Sequence, residues 1–293
     1  MSLPFRPRRP DPAKSDSKDE GNHGQNTTSS EEHEFFPSVW DVLKVRYLLQ
    51  WKITEESLPT ELVDEIIDAA EYWPSTLHHM RRSPNERRGR ARIGQDCDAV
   101  LFKTVPLCYD KEQLSKTPSP KPLPHRDAHP CRKIVFNLSS HDQGGGPQSP
   151  DMYQHESWTW FDTEVVHEAH TRNLFVNGEE QDIWENEQGQ SRQEVDTSRF
   201  PLLPGPKKLQ VNGGRVSEQQ HREIIWHYLD DISADSEEAH NIERTKGRGR
   251  GTLDGSGVRD LEIGDSIAVW ARARFPGWAN NVFNASARVF WAI

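Results

Sequence analysis

The sequence predicts a mainly β chain: an antiparallel β-sandwich of the jelly-roll type, preceded by a short α-helical pair and a disordered N-terminus. Three observations carry this reading. From residue 96 onward, short segments of alternating apolar and polar residues are separated by turn residues, the pattern of half-buried strands. No β-α-β alternation appears there, which argues against a doubly wound nucleotide-binding fold. Between Phe36 and Trp73, apolar residues recur at three- and four-residue spacing, the period of helices.

Residues 1–34 carry Pro, Ser, Asn, Asp and Glu with almost no large apolar side chains. Ordering a residue costs about 1–2 kcal/mol, and here nothing offsets it, so a disordered tail is expected. Residues 35–80 form the helical segment. Phe36, Val39, Trp40, Leu43, Tyr47 and Leu48 place a helix over roughly 37–50, with Pro37 suited to its first turn. Ser57 and Pro59 are start signals for a second helix. Its acidic residues Glu61, Asp64 and Glu65 suit the positive end of the helix dipole. Leu62, Ile66, Ala69, Ala70 and Trp73 form its stripe, widened by Val63 and Ile67, and Pro74 ends it.

Residues 81–95 read as an Arg-rich linker. Arg81, Arg82, Arg87, Arg88, Arg90 and Arg92 are opposed only by Glu86. A solvated linker balanced by acidic segments elsewhere in the chain is one reading, and a phosphate-contacting or nuclear-localisation strip is the other. Residues 96–293 form the β-sandwich domain. Its strands are expected at Ala99–Val105, Arg132–Ser140, Ser157–Val166, Lys208–Asn212, Glu223–Asp230, Asp265–Phe275 and Ala285–Ile293. Polar insertions interrupt it near 109–128, 177–198 and 233–252. The run from Lys246 to Gly251 reads as a flexible turn, since it lacks the Lys-Ser/Thr end of a phosphate-binding loop.

The 293 residues carry 36 Lys and Arg against 46 Asp and Glu, a formal charge of −10. That acidity speaks against an all-over basic nucleic-acid binder. No apolar run of about 18 residues exists, so no membrane span is expected, and the polar start is unlike a secretory signal. Only three cysteines are present, too few for a disulfide framework, which points to a reducing compartment, cytoplasmic or nuclear. Ten tryptophans, mostly in the second half, indicate a real core diluted by polar segments.

Four groups of residues could carry chemistry. His125, Asp127, His129 and Cys131 alternate, so an extended chain would point all four the same way. They are transition-metal ligand types. Pro124 and Pro130 interrupt a regular strand, however, and an exposed polar loop is the competing reading. His141 with Asp142, or His227 with Asp230 and Asp231, could form an acid/base pair, although no nucleophile elbow accompanies them. Trp278 follows the Pro276-Gly277 turn and precedes Asn280 and Asn281. Asp142 and Gln143 occupy another Gly-rich loop. A Trp face beside Asn or Asp side chains is what sugar or peptide recognition commonly uses.

Two resemblances add to this. The stretch from Leu58 to Ile67, Leu-Pro-Thr-Glu-Leu-Val-Asp-Glu-Ile-Ile, resembles the opening of an F-box, which docks onto a ubiquitin-ligase adaptor. That resemblance makes Leu58, Pro59, Leu62 and Ile66 the docking residues, though later F-box helices are not visible after Pro74. Ser139-Ser140-His141-Asp142-Gln143-Gly144, Ser157-Trp158-Thr159-Trp160-Phe161-Asp162, Asp265 through Trp278 and the terminal Val289-Phe290-Trp291-Ala292-Ile293 resemble a family of fungal proteins with a C-terminal Trp-rich module. Where that pattern would place an aromatic after Gly144, this chain has Gly145 and Gly146. More distantly, the arrangement is similar to the β-sandwiches of F-box-associated and phloem-lectin-like proteins. Neither resemblance implies a catalytic activity.

The expectation is therefore a non-enzymatic intracellular binding or adaptor protein whose sandwich recognises a protein, peptide or glycan, with no cofactor. One alternative is an enzyme, with or without a metal, using the His125, Asp127, His129 and His141 region. The other is a nuclear protein that meets nucleic acid through its arginines.

Overall fold

The computed structural model describes residues 35–53, 55–80, 90–117, 119–145, 157–171, 175–176, 179–180 and 201–293. The tail expected at 1–34, the arginines from Arg81 to Arg88 and most of the 177–198 insertion lie outside the described residues.

Helix α1 spans Val39–Trp51 and starts from a capping box. Ser38 Oγ accepts the Asp41 N–H at 3.2 Å, and Asp41 Oδ2 accepts the Ser38 N–H at 2.9 Å. Pro37 therefore precedes the helix instead of occupying its first turn. Helix α2, Thr60–Ala69, is shorter than the stripe running to Trp73 suggests. Glu71 takes a φ of 48°, which ends the helix and turns Trp73 into the core. There the Trp73 indole N–H donates to Asp68 Oδ1 at 2.8 Å.

The strands, in chain order, are β1 (Ser75–His79), β2 (Ala91–Ile93), β3 (Cys97–Lys103), β4 (Cys131–His141), β5 (Thr159–Val166), β6 (Phe175–Val176), β7 (Glu179–Glu180), β8 (Gln210–Val211), β9 (Gln220–His227), β10 (Ser266–Ala273) and β11 (Asn280–Trp291). One sheet has the order β1-β11-β4-β9, with β2 also paired to β11, and the other has the order β3-β10-β5-β8. β6 pairs only with β7. All pairings are antiparallel. One apolar cluster draws on both sheets: Ile134, Phe136 and Leu138 of β4 and Ala285, Ala287 and Val289 of β11 join Phe161 of β5 and Ile267, Val269 and Ala271 of β10. That is a sandwich. Val42, Val63, Ile67 and Trp73 belong to the same cluster, so the helical pair packs on the sandwich and shares its core.

This sharing corrects the boundary expected at residue 96. Phe36–Ile293 is one unit by its contacts. β1 lies in the segment read as helical, and β2 lies in the segment read as linker. Both are polar and short, and both are strands because β11 pairs with them, β1 through Ser286–Phe290 and β2 through Asn280–Val282.

Two polar insertions also contain regular structure. Helix α3, Lys111–Lys116, is capped by Asp110, whose Oδ1 accepts the Gln113 N–H at 3.0 Å. Helix α4, Glu237–Lys246, is capped by Ser236 and ends at Gly247 with φ 72°. The Gly/Arg run that follows is no flexible turn. A Cβ on Gly249 would meet the Lys208 carbonyl oxygen at 2.1 Å, and Arg248 Nη2 donates to the Thr252 carbonyl at 2.8 Å. A short 3-10 helix, Arg250–Thr252, and helix α5, Ser256–Arg259, lead into β10.

β10 is buried on both faces. Arg272 and the following Arg274 are ion-paired within the fold. Asp98 of β3 accepts Arg272 Nη1 at 2.7 Å and holds Arg274 at 2.7 and 2.9 Å. Asp162 of β5 accepts Arg272 Nε at 2.6 Å. These arginines tie the central strand to both neighbours instead of meeting solvent.

Candidate binding surfaces

The residues expected to bind a ligand come together, but they face inward. β11 begins at Asn280, earlier than the expected Ala285, and Asn281 pairs with His141. Asn280, Asn281 and Asp142 are buried. Asn280 Oδ1 accepts Asn212 Nδ2 at 3.0 Å, and its Nδ2 donates to the Trp160 carbonyl at 3.2 Å. Asn212 also donates to Thr159 Oγ1 at 3.0 Å and accepts from Ser140 Oγ at 2.8 Å. Asn281 Nδ2 donates to the Asp142 carbonyl at 2.9 Å, and Gln143 Oε1 accepts the Ala279 N–H at 3.4 Å. The Asp142 carboxylate accepts the N–H groups of Gly144 and Arg215. Burial pushes its pKa above the ordinary value, and those donors, with Val216 N–H and nearby His141, offset part of the rise. This network bridges the two sheets and engages the Asn280 and Asp142 side chains internally, while Asn281 Oδ1 is buried without a hydrogen-bond partner. Ser140, Thr159 and Asn212, its other members, were not singled out from the sequence. Their identities alone do not signal burial.

Trp278 is half-buried beside the turn at Gly277, which has a φ of 86°. Trp158, by contrast, lines an open groove. It stands with Leu203, Lys208 and His240 around a volume of about 790 Å³. Lys208 is already ion-paired to Glu243 there.

The four residues of the metal expectation, His125, Asp127, His129 and Cys131, are not gathered into one site. Among the described residues, no three His, Cys, Asp or Glu side chains gather as a metal site needs. The alternating run breaks up because His125 and Asp127 are held by local contacts and Cys131 turns into the core. His125 Nδ1 lies 2.8 Å from the Leu123 carbonyl. Asp127 accepts the His129 N–H at 2.9 Å and Arg132 Nη2 at 3.2 Å. Cys131 is fully buried at the start of β4, where burial pushes its thiol up to about 12. The acid/base pairs fare similarly. His141 Nδ1 bonds the neighbouring Asp142 carbonyl. Asp230 Oδ2 accepts the backbone N–H of His227 at 3.0 Å, leaving the imidazole out of the contact.

Among the described residues, the helical pair presents the clearest exposed apolar surface. α1 is apolar on two faces. Val42 is buried, and Val39, Leu43 and Leu49 pack against the core. Trp40, Tyr47 and Trp51, at i, i+7 and i+11, share the other stripe and are 78%, 53% and 55% exposed. Over eleven residues that stripe runs about 16 Å. On α2 the inward residues are Val63 and Ile67, while Leu62 and Ile66 are 45% and 44% exposed. Of the other F-box-like docking residues, Leu58 is half-buried against the core and Pro59 is exposed. Past α2 the chain enters β1, so the described residues continue as a sheet.

An ionic cluster fixes this surface to the sandwich. Arg46 pairs with Asp64 and donates to the Ile293 carbonyl at 2.6 Å. Arg126 reaches Asp64 at 3.4 Å and Asp68 at 2.5 Å. Of the expected linker arginines that are described, Arg92 lies in β2 opposite Asn281. No helix among the described residues is long and apolar enough to cross a membrane. Comparison with protein-family models, with curated proteins and with solved structures returns no match to this chain.

Proposed function

We propose that this protein is a non-enzymatic binding module that engages a protein partner through the exposed aromatic face of its helical pair. The observation that supports this is the Trp40–Tyr47–Trp51 stripe, continued in kind by Leu62 and Ile66 on α2. A surface helix normally keeps its second face polar, and contiguous exposed apolar surface marks interaction sites. Trp and Tyr are the side chains that concentrate binding energy at interfaces. The ion pairs of Arg46 and Arg126 hold the helices in place before any partner arrives, which lowers the ordering cost of association. A ubiquitin-ligase adaptor, the partner implied by the Leu58–Ile67 resemblance, is one protein of this kind. The separate local contacts of the His125, Asp127 and His141 side chains favour this reading over an enzyme of that region.

The test is photo-crosslinking in the source cells, with a benzophenone side chain replacing Tyr47 in one protein and Ile225 on β9 in another. The expected result is a discrete adduct with a different protein from position 47 alone, lost when Trp40→Glu and Trp51→Glu are added while the melting temperature is kept. Identical adducts from both positions, or adducts only to a second copy of this chain, would overturn the proposal.

A further inference from the structure

The two sheets leave a gap along one side of the sandwich. β8 meets β5 only at Trp160 and Phe161. Thr163 and Val165, the next residues on the inward face of β5, therefore lie beyond it, and β9 is the last strand of the opposite sheet. A cavity of about 290 Å³ lies here, bordered by α5, with Thr163, Val165, Trp226, Leu261 and Ile267 in its lining.

Trp226 is held on two sides. Phe136 meets its ring edge-on with centroids 5.0 Å apart. Gly257 of α5 lies so close to the six-membered ring that a Cβ there would sit 3.0 Å from Cζ3. Trp226 is 6% exposed, and its Nε1 is buried with no hydrogen-bond partner. An indole nitrogen only donates. Native structures seldom leave a buried donor unsatisfied, because it has given up water for nothing. The cavity thus combines apolar side chains with one unfilled donor.

The charged side chains of the lining stay outside this apolar part. Lys207 and Asp260 are both exposed and of opposite sign. His167 is exposed too, and its Nδ1 already meets Asp265 Oδ2 at 3.1 Å. Thr252 Oγ1 donates to the Gly249 carbonyl at 2.8 Å, and Ser256 Oγ donates to Asp254 Oδ1 at 2.7 Å. An ionised ligand would find no buried countercharge, and its desolvation would be costly. The volume is at the lower end of small-molecule sites, and too small for a polymer.

We propose that this cavity binds a small uncharged carbonyl compound, its oxygen accepting the Trp226 Nε1–H and its apolar body packed against Val165, Leu261 and Ile267. Apolar burial gives most of the affinity, and the single hydrogen bond fixes the orientation. The site is separate from the helical face, so its fate does not depend on the partner proposed above.

The experiment is a titration of the full-length ¹⁵N-labelled protein, following the indole N–H resonances with Trp226 assigned through its own side-chain carbons. Acetophenone, 2-heptanone, ethylbenzene and benzoate are added separately. The expected result is a saturable downfield shift of the Trp226 N–H with acetophenone or 2-heptanone, the tighter of the two showing whether the apolar body is aromatic or aliphatic. Ethylbenzene lacks the oxygen and is expected to bind about tenfold more weakly than acetophenone, without the downfield shift. Benzoate is expected to leave the resonance in place. Val165→Trp fills the cavity from a position that is 39% exposed, and is expected to abolish the ketone shift while keeping the melting temperature. No saturable shift with either ketone, an equal downfield shift with ethylbenzene, saturation by benzoate, or ketone binding that survives Val165→Trp would overturn the proposal. The spectra of the unmodified protein decide this even if Val165→Trp does not fold.

Discussion

Cys108 and Cys131 are buried and Cys97 is exposed. Burial raises both inner thiols well above the ordinary range, so they are shielded and protonated near neutral pH. The native protein is expected to react with one equivalent of an aromatic disulfide reagent, at Cys97, and with three after denaturation. His78 makes a second prediction at this scale. Its folded pKa is depressed to about 4 from a reference of 6.5. The unfolded chain therefore binds a proton below about 6.5 that the folded chain refuses. The neutral imidazole favours the folded state above that pH, and the advantage is lost as pH falls toward about 4, by up to about 3 kcal/mol. Lys103, Lys111, His79 and Asp110 line a cavity together with His78. Urea unfolding is expected to show a smaller loss of stability between pH 7 and 4.5 for His78→Phe than for the unmodified chain. The polar residues near Trp278 show what local sequence hides. Asn280, Asn281 and Asp142 were legible as a group of partners. Their inward direction depends on β11 starting at Asn280 and pairing with β4, a contact with residues about 140 positions away along the chain.

Among the elements, β10 shows the same division. Its alternation reads directly from the sequence, and the inward Ile267, Val269 and Ala271 lie in the core as expected. The outer face, with Arg272, resembles a solvated strand face and is nevertheless buried, because Asp98 and Asp162 on neighbouring strands supply the countercharge. Removing one partner from such a buried set leaves charge uncompensated. Asp98→Ala is expected to destabilise the fold by about 3–5 kcal/mol in chemical denaturation, the range for breaking a buried pair. Gly249 belongs to the same scale. Its φ is ordinary for any residue at −65°, so backbone freedom is not the reason for glycine. The close Lys208 carbonyl is. Gly249→Ala is expected to cost about 1–3 kcal/mol by overpacking, a result that a flexible turn would not give.

At the scale of the molecule, α1, α2, the two-sheet class and most strands were legible, since each has its own periodicity, whereas α3 and α4 lie in segments whose polarity read as insertions. Strand order was not, because β11 at the end of the chain organises β1, β2 and β4 through pairings that no local pattern encodes. The consequence is practical. A 96–293 fragment lacks α1, α2, β1 and β2, which bares an edge of β11 and part of the core. It is expected to aggregate or to lose cooperative unfolding, whereas 36–293 unfolds in one transition. The formal charge of −10 likewise describes no single surface, since several of its carboxylates are paired inside the fold with Arg46, Arg126, Arg272 and Arg274. The surface proposed to meet a partner is the exposed aromatic stripe of α1. The most direct test is hydroxyl-radical footprinting of the full-length protein, free and in the complex isolated from its source cells. The account predicts that oxidation of Trp40, Tyr47 and Trp51 falls in the complex while that of the exposed Ile225 and Leu229 stays unchanged. Unchanged oxidation of the three aromatics, with protection elsewhere on the sandwich, would contradict it.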